Sequence, residues 1–258
     1  MRRDHLLGAA LAAGMFGCAS GGAPAPTAAT PVPASVPAPA PAAAPTATVD
    51  QGWRSLFDGR TTAGWRGFRL PGFPERGWTI TEGTLRSDAG GDMDIVTEQA
   101  YSRFELQLQF RLQPGANSGI KFLVDEALVP RGHHGLGFEY QLIDDDRHPD
   151  ARQGKPGTRT CGALYDLIAP GPGKVVRPPG EWNQVRLVVD GTRVEHWLNG
   201  VKVLEYEMGS DTVKAGLAAS KFKNAAGFGA KIKGHIMLTD HGDEAWFRNV
   251  KIRELAAK

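Results

Sequence analysis

Phe104-Glu105-Leu106-Gln107-Leu108-Gln109-Phe110-Arg111-Leu112 decides the fold of this chain. Apolar and polar side chains alternate through the whole stretch without a break. Successive side chains of a strand point to opposite faces. Phe104, Leu106, Leu108, Phe110 and Leu112 therefore share a dry face, and Glu105, Gln107, Gln109 and Arg111 a polar one. Working outward, similar runs recur at 118–124, 136–143, 184–190, 193–198, 201–206, 234–239 and 245–253, with Gly, Pro, Asn or Asp between most of them. Asp190-Gly191 and Asn199-Gly200 sit between apolar-rich runs, the strongest short-range hairpin signal. No stretch keeps a helical stripe through three turns, and only 252–258 offers a helical turn. The pattern predicts an all-β single domain, a two-sheet β-sandwich or jelly roll. One face of each sheet builds the core. An outer face rich in Glu, Gln and Arg becomes, if the sheet curves, a polar groove suited to a sugar. The loops 66–77, 125–135, 144–160 and 169–180 are long and rich in Gly and Pro, and long loops in compact domains tend to carry function.

The chain has 258 residues, and its first fifty stand apart. Arg2 and Arg3 precede a short apolar run, Leu6 to Phe16, and Gly17 precedes Cys18. The run is too short to span a bilayer. The arrangement over residues 1–18 resembles a bacterial lipoprotein signal, in which Cys18 is lipidated and becomes the mature N-terminus; an ordinary secretory signal is the alternative. Either way the protein is exported. Ala19 after the cysteine resembles lipoproteins sent to the outer membrane. Residues 19–50 are predicted to form a disordered Ala/Pro-rich tether: 19–49 carry no charge, and eight prolines fall between Pro24 and Pro45. That leaves 51–258 as the folded domain, long enough for a sizeable core.

Without Arg2, Arg3 and Asp4 the chain carries 28 basic and 27 acidic side chains. A near-neutral domain has no electrostatic footprint for nucleic acid. The expected contact with a membrane is the lipid anchor alone. With Cys18 lipidated, Cys161 has no cysteine to pair with, and it reads as a small buried hydrophobe.

Four segments hold the chemistry: Asn117 to Phe122, Gly137 to Asp146, Gly162 to Asp166, and Gly234 to Asp243. Alternation puts Asn117 and Lys121 on one face of the first segment, and Glu139 and Gln141 on one face of the second. If the two strands are neighbours, Lys121, Glu139 and Gln141 share a polar face, either as a ligand site or as a solvated sheet surface with a weak ion pair. His133, His134, His235 and His241, with Asp144 or Asp240, are metal-ligand types, but no fixed ligand spacing organises them. No cofactor is expected, and a divalent metal is the minor alternative. A G-x-S-x-G elbow and a glycine-rich strand-to-helix turn are both missing from the sequence, which disfavours a serine hydrolase and a nucleotide site. The six tryptophans read mostly as core or rim anchors, with one or two free to stack on sugar rings.

In order along the chain, Leu56-Phe57-Asp58-Gly59-Arg60-Thr61, Gly64-Trp65, Asn117 to Phe122, Gly137 to Asp146, Cys161 to Asp166, Gly180-Glu181-Trp182-Asn183, Glu195 to Gly200 and Asp240-His241-Gly242 resemble the 3-keto-disaccharide hydrolase domain family. The resemblance spans 53–254. Thr239 departs from it, standing where the family typically has Gln. The resemblance implies a concanavalin A-like jelly roll, often exported as a lipoprotein, and an enzyme that cleaves oligosaccharides or glycosides already oxidised at carbon 3.

A ketone at carbon 3 acidifies the proton on carbon 2. A base removes that proton, the enolate expels the aglycone from carbon 1, and water can then add. The route needs a base, a donor for the leaving oxygen and a cation or amide for the enolate. The family motif and strand parity together make Glu139 the base. Lys121 and Asn117 hold the ketone or stabilise the enolate, and Gln141 binds hydroxyls. His241 is the proton donor, with Asp240 orienting it. His134 and Tyr165 are reserve donors, and Asp144 completes the substrate-binding set. A lectin-like binding module is the alternative of another class, since fold does not fix function. A conventional glucanase would need a second carboxylate about 5–9.5 Å from Glu139, for which Asp144 and Glu105 are the candidates.

Overall fold

The alternating segment at 104–112 becomes β6, which lies inside the larger of two antiparallel sheets. The computed structural model describes residues 52–128 and 135–256; Cys18, the tether, His133 and His134 lie outside them. The larger sheet runs in the order β11 (Val201–Glu207), β10 (Arg193–Leu198), β9 (Asn183–Asp190), β6 (Phe104–Leu112), β13 (Ala245–Glu254), β4 (Thr84–Ser87) and β3 (Trp78–Thr81). The short β1 (Arg54–Ser55) also pairs with β13. The smaller sheet runs β2 (Trp65–Gly67), β5 (Ile95–Thr97), β12 (His235–Leu238), β7 (Asn117–Asp125) and β8 (Leu136–Ile143). The fold is an all-β sandwich.

The dry side of β6 meets the inner face of the smaller sheet. Phe104, Leu106, Leu108 and Phe110 join Ile120, Phe122, Phe138, Tyr140 and Leu142 in one core cluster. Each such side chain contributes about 1.5–3 kcal/mol of transfer free energy when fully buried. Both hairpins expected from sequence form. Asn199 and Gly200 have φ of 49° and 83°, the left-handed pair that a tight turn between twisted strands requires.

Cys161 is fully buried, and burial pushes its thiol up to about 12, as expected of an inert core residue. Two elements differ from expectation. Residues 252–254 extend strand β13 and form no helical turn, because Ile252 pairs with both Leu106 and Arg54. A helix, α1 (Asp211–Ala219), forms where the sequence shows no long stripe. It is short and buries only Val213 and Gly216, so its start is set by the Ser210 cap, whose hydroxyl accepts from Val213 N, more than by a wide apolar face. The five short strands β1 to β5 were also not anticipated; at two to four residues they show too little alternation to read.

One irregularity matters for the site. The β7 register shifts against β12 between Lys121 and Val124 and against β8 between Phe122 and Asp125, and Leu123 has a φ of 53°. This bulge lets Phe122 and Leu123 both enter the main core, while Val124 joins Phe68, Val96 and Met237 in a separate apolar cluster.

Candidate active site

Strand pairing sets the site's first row. Arg66 pairs with Val96, Val96 with Met237, Met237 with Lys121, and Lys121 with Glu139, one residue from each strand of the smaller sheet. Strand parity therefore points these side chains away from the main core. Lys121, Glu139, Asn117 and Gln141 line a cavity of about 690 Å³, together with Gly135, Leu136, His148, Asp150, Tyr165, Lys221, Phe222, Ala225 and His241. That volume lies within the ordinary range for a small-molecule site. A smaller hollow of about 240 Å³ at the other end of β8 holds Asp144, Asp145 and Asp146.

Glu139 lines this cavity and is 6% exposed. Its Oε1 is buried and has no hydrogen-bond partner among the described residues. Burial raises its pKa above the usual carboxylate value, against the pull of Lys121 and Lys221. The carboxylate lies over Gly119, where a Cβ would stand 2.1 Å from Oε1. Glycine at 119 is thus a condition for the glutamate's position. Lys121 is also buried; its ammonium donates to Gly135 O at 3.1 Å and lies 3.9 Å from Asp94 Oδ2. Gln141 donates from Nε2 to Asn117 Oδ1 at 3.0 Å, which orients both amides on the same wall.

The free edge of β8 is covered by the segment that carries Tyr165. Gly162 N donates to Gln141 O, and Tyr165 N donates to Glu139 O, at 2.8 and 2.9 Å. Tyr165 OH donates to Asp150 Oδ2 at 2.7 Å and accepts from Lys221 Nζ at 2.9 Å. Arg159 ties the group together, donating to Asp150 Oδ1 at 2.6 Å and to Asp166 Oδ1 at 2.7 Å. Burial, with the bond to Asp150, raises the pKa of the Tyr165 phenol.

Of the residues expected from sequence, Glu139, Lys121, Asn117, Gln141, Tyr165 and His241 therefore meet in one pocket. His134 lies outside the described residues. Asp144 stands apart: its oxygens accept from Gly115 N, Asp146 N and Arg147 N and pair with the Arg147 guanidinium, so it braces a loop. Asp240 is fully buried beside the pocket, with Oδ1 accepting from Gly242 N at 2.9 Å and Oδ2 packed against Gly91. Burial pushes it up to about 6. His235 is turned to Thr97 O and Glu126, away from His241's pocket. Among the described residues no group of three or more His, Cys, Asp or Glu could hold a metal ion.

Sequence reading missed Asp94, Asp150, Arg159 and Lys221. Asp150 follows Pro149 in a 3-10 turn capped by His148, and Lys221 lies just past α1. Both sit in irregular chain, where periodicity carries no information about facing. The one or two tryptophans expected to stack on a sugar are not found here, since none of the six lines this pocket. Trp65 and Trp78 are core, and Trp53, Trp182, Trp197 and Trp246 are each covered by Arg or Lys.

A 3-keto-disaccharide hydrolase of Bacteroides thetaiotaomicron is 33% identical over 232 residues, 79% of each chain. A solved structure from Parabacteroides distasonis, provisionally described as a glycosyl hydrolase, is 32% identical with a TM-score of 0.71, covering 80% of this chain and 94% of its own. A Bacillus subtilis protein with a galectin-like fold is 13% identical with a TM-score of 0.50, covering 80% of this chain and all of its own, and shows likeness of fold alone. Residues 52–253 match the profile of a further named group, and on that match the chain belongs to the 3-keto-alpha-glucoside-1,2-lyase-like domain family.

Proposed function

We propose that this pocket cleaves the glycosidic bond of a sugar already oxidised to a ketone at carbon 3, with Glu139 as the base. Membership of the family and relatives named for glycoside cleavage support the coarser reading, a glycoside hydrolase. The observation that carries the finer one is the Glu139 carboxylate: buried, without a hydrogen-bond partner on Oε1, and raised in pKa. A carboxylate in that state is a stronger base than one in water. Proton abstraction beside a ketone needs such a base and a nearby cation for the enolate oxygen. Lys121, directly opposite Glu139 in the register, provides that cation. Asn117 and Gln141 are assigned to the sugar hydroxyls and the ketone, and His241, the proton donor expected from sequence, is reassigned to the same binding set.

The order of events is short. Glu139 takes the proton from carbon 2, and Lys121 steadies the negative charge on the carbon 3 oxygen. The electron pair then forms the carbon 1–carbon 2 double bond, and the carbon 1–oxygen bond breaks with protonation of the leaving oxygen. Addition of water to the unsaturated product makes the net reaction a hydrolysis. We also infer from the sequence export, lipidation at Cys18 and a tether over 19–50, a reading in which the pocket works outside the cytoplasm.

The test is product analysis by NMR of a 3-keto-disaccharide and its unoxidised parent incubated with the protein. Cleavage of the oxidised sugar alone is the expected result. Equal cleavage of both, or of neither, defeats the proposal. A lectin-like module would bind sugar without turnover.

A further inference from the structure

We propose that Lys221 is the acid that protonates the departing glycosidic oxygen, a role that rests on the elimination reading above. Three observations support it. Lys221 is exposed as a residue, yet its backbone is pinned: Lys221 N donates to Asp166 Oδ2 at 2.8 Å, and Arg159 holds the other Asp166 oxygen. Its ammonium is turned into the pocket that holds Glu139, 4.4 Å from the centre of the Tyr165 ring and 5.2 Å from that of Phe222.

The hydrogen-bond chain has a fixed direction. Tyr165 OH gives its only proton to Asp150, so the phenol oxygen accepts from Lys221. Tyr165 is therefore a poor donor to substrate: its proton is committed, and its pKa is raised by burial and Asp150. Lys221 is the opposite case. One of its three N–H groups goes to Tyr165, which leaves donors for a ligand. Burial of the ammonium also lowers its pKa, which strengthens it as an acid.

The two pocket lysines thus divide the work. Lys121 is held by Gly135 O beside Asp94, next to the base, where the enolate forms. Lys221 stands on the Tyr165 wall, beyond the covered edge of β8. In the step itself Glu139 gains the carbon 2 proton, and the carbon 1–oxygen bond breaks. The leaving oxygen takes a proton from the Lys221 ammonium, and the neutral amine is recharged from solvent.

Leaving-group dependence tests this. The wild type, Lys221→Met, Lys221→Arg, His241→Ala and Glu139→Gln are compared on 3-keto-glucosides with a sugar or a 4-nitrophenol as aglycone. Carbon 2 proton exchange into deuterated water is followed on 3-keto-glucose. Arginine keeps the cation and the bond to Tyr165 but does not give up its proton at these pH values. Expected for both Lys221 variants is a loss of about 10²–10⁴-fold on the sugar aglycone. The nitrophenyl substrate needs no acid, so its loss stays within about tenfold. Exchange persists in both Lys221 variants and is lost in Glu139→Gln.

Equal losses on both aglycones would overturn the assignment. So would recovery of the wild-type rate in Lys221→Arg, or the same leaving-group pattern in His241→Ala alone. Absence of exchange in the wild type would bring down the elimination reading itself, and Lys221's role with it.

Discussion

Two buried glutamates, one on the outer face of each sheet, have opposite fates. Glu105 on β6 is 3% exposed and Glu139 on β8 is 6% exposed. Glu105 accepts from Arg186 at 2.5 Å, from Gln107 at 3.0 Å and from Arg253 at 2.6 Å. Burial would raise its carboxyl, but the bonds from Arg186 and Arg253 outweigh that and hold it below the usual range. Glu139 has burial without those bonds, and its pKa goes up. The difference lies in what stands next door. Arg186 and Arg253 come from the two strands flanking β6 in the larger sheet. In the smaller sheet β8 has β7 on one side and an irregular segment on the other, and the residue beside the carboxylate is Gly119. One glutamate is fastened into the scaffold, and the other keeps an oxygen without a hydrogen bond, as the proposed base requires.

The largest expected effect comes from removing that readiness. Glu139→Gln should cut turnover of a 3-keto-glycoside by about 10²–10⁴-fold without lowering the melting temperature. Glu105→Gln should do the reverse, leaving turnover intact. A glutamine at either site that shows the other's phenotype would break the comparison.

Gly119→Ala sharpens it from the side of position. The added Cβ lies where Oε1 is now, so Glu139 must move. A displacement of about 1 Å costs on the order of 10²-fold in kcat, with KM changed little. Wild-type kcat in this variant would show that the carboxylate has no required seat.

In pH dependence the two glutamates have opposite signs. As the proposed base, Glu139 must be deprotonated to act, so the acid limb of the rate profile should lie above the ordinary carboxylate range. Its raised folded pKa also means that its contribution to stability is present at low pH and is lost as pH rises through that value. Glu105, depressed in the fold, contributes above its unfolded pKa and loses that contribution as pH falls through its folded one.

His196 adds to the acid side. It is fully buried, its Nδ1 lies 3.0 Å from Gly162 O, and burial lowers its pKa to about 4. Between the usual 6.5 and that value the unfolded chain binds more protons, so stability falls with falling pH, by about 3 kcal/mol in all. Denaturant midpoints at pH 7 and pH 5 should differ in the wild type, and differ less in His196→Gln. The smallest effect is that of Glu105→Gln on stability, about 1–3 kcal/mol, read from the same midpoints.

Long strands were legible because alternation survives for six residues or more, as in β6, β9 and β10. The pairing of Lys121 with Glu139 was legible in part: parity gave the face, but nothing in the chain named β7 and β8 as neighbours. Of the other wall only Tyr165 was legible, through the family resemblance. Asp150, Arg159, Tyr165 and Lys221 are joined by hydrogen bonds spanning nine to 56 residues of chain, none of them on a regular strand. The polar face of β6, the first candidate for a groove, turned out to be closed by its own ion pairs.

The sequence by itself determined the class of fold and the face on which Glu139 lies, because both follow from a two-residue period that each strand carries locally. Tertiary structure alone decided which glutamate keeps an oxygen without a hydrogen bond. That depends on the cations and the glycine that neighbouring elements bring to each carboxylate, and no local pattern records its neighbours across the sheet.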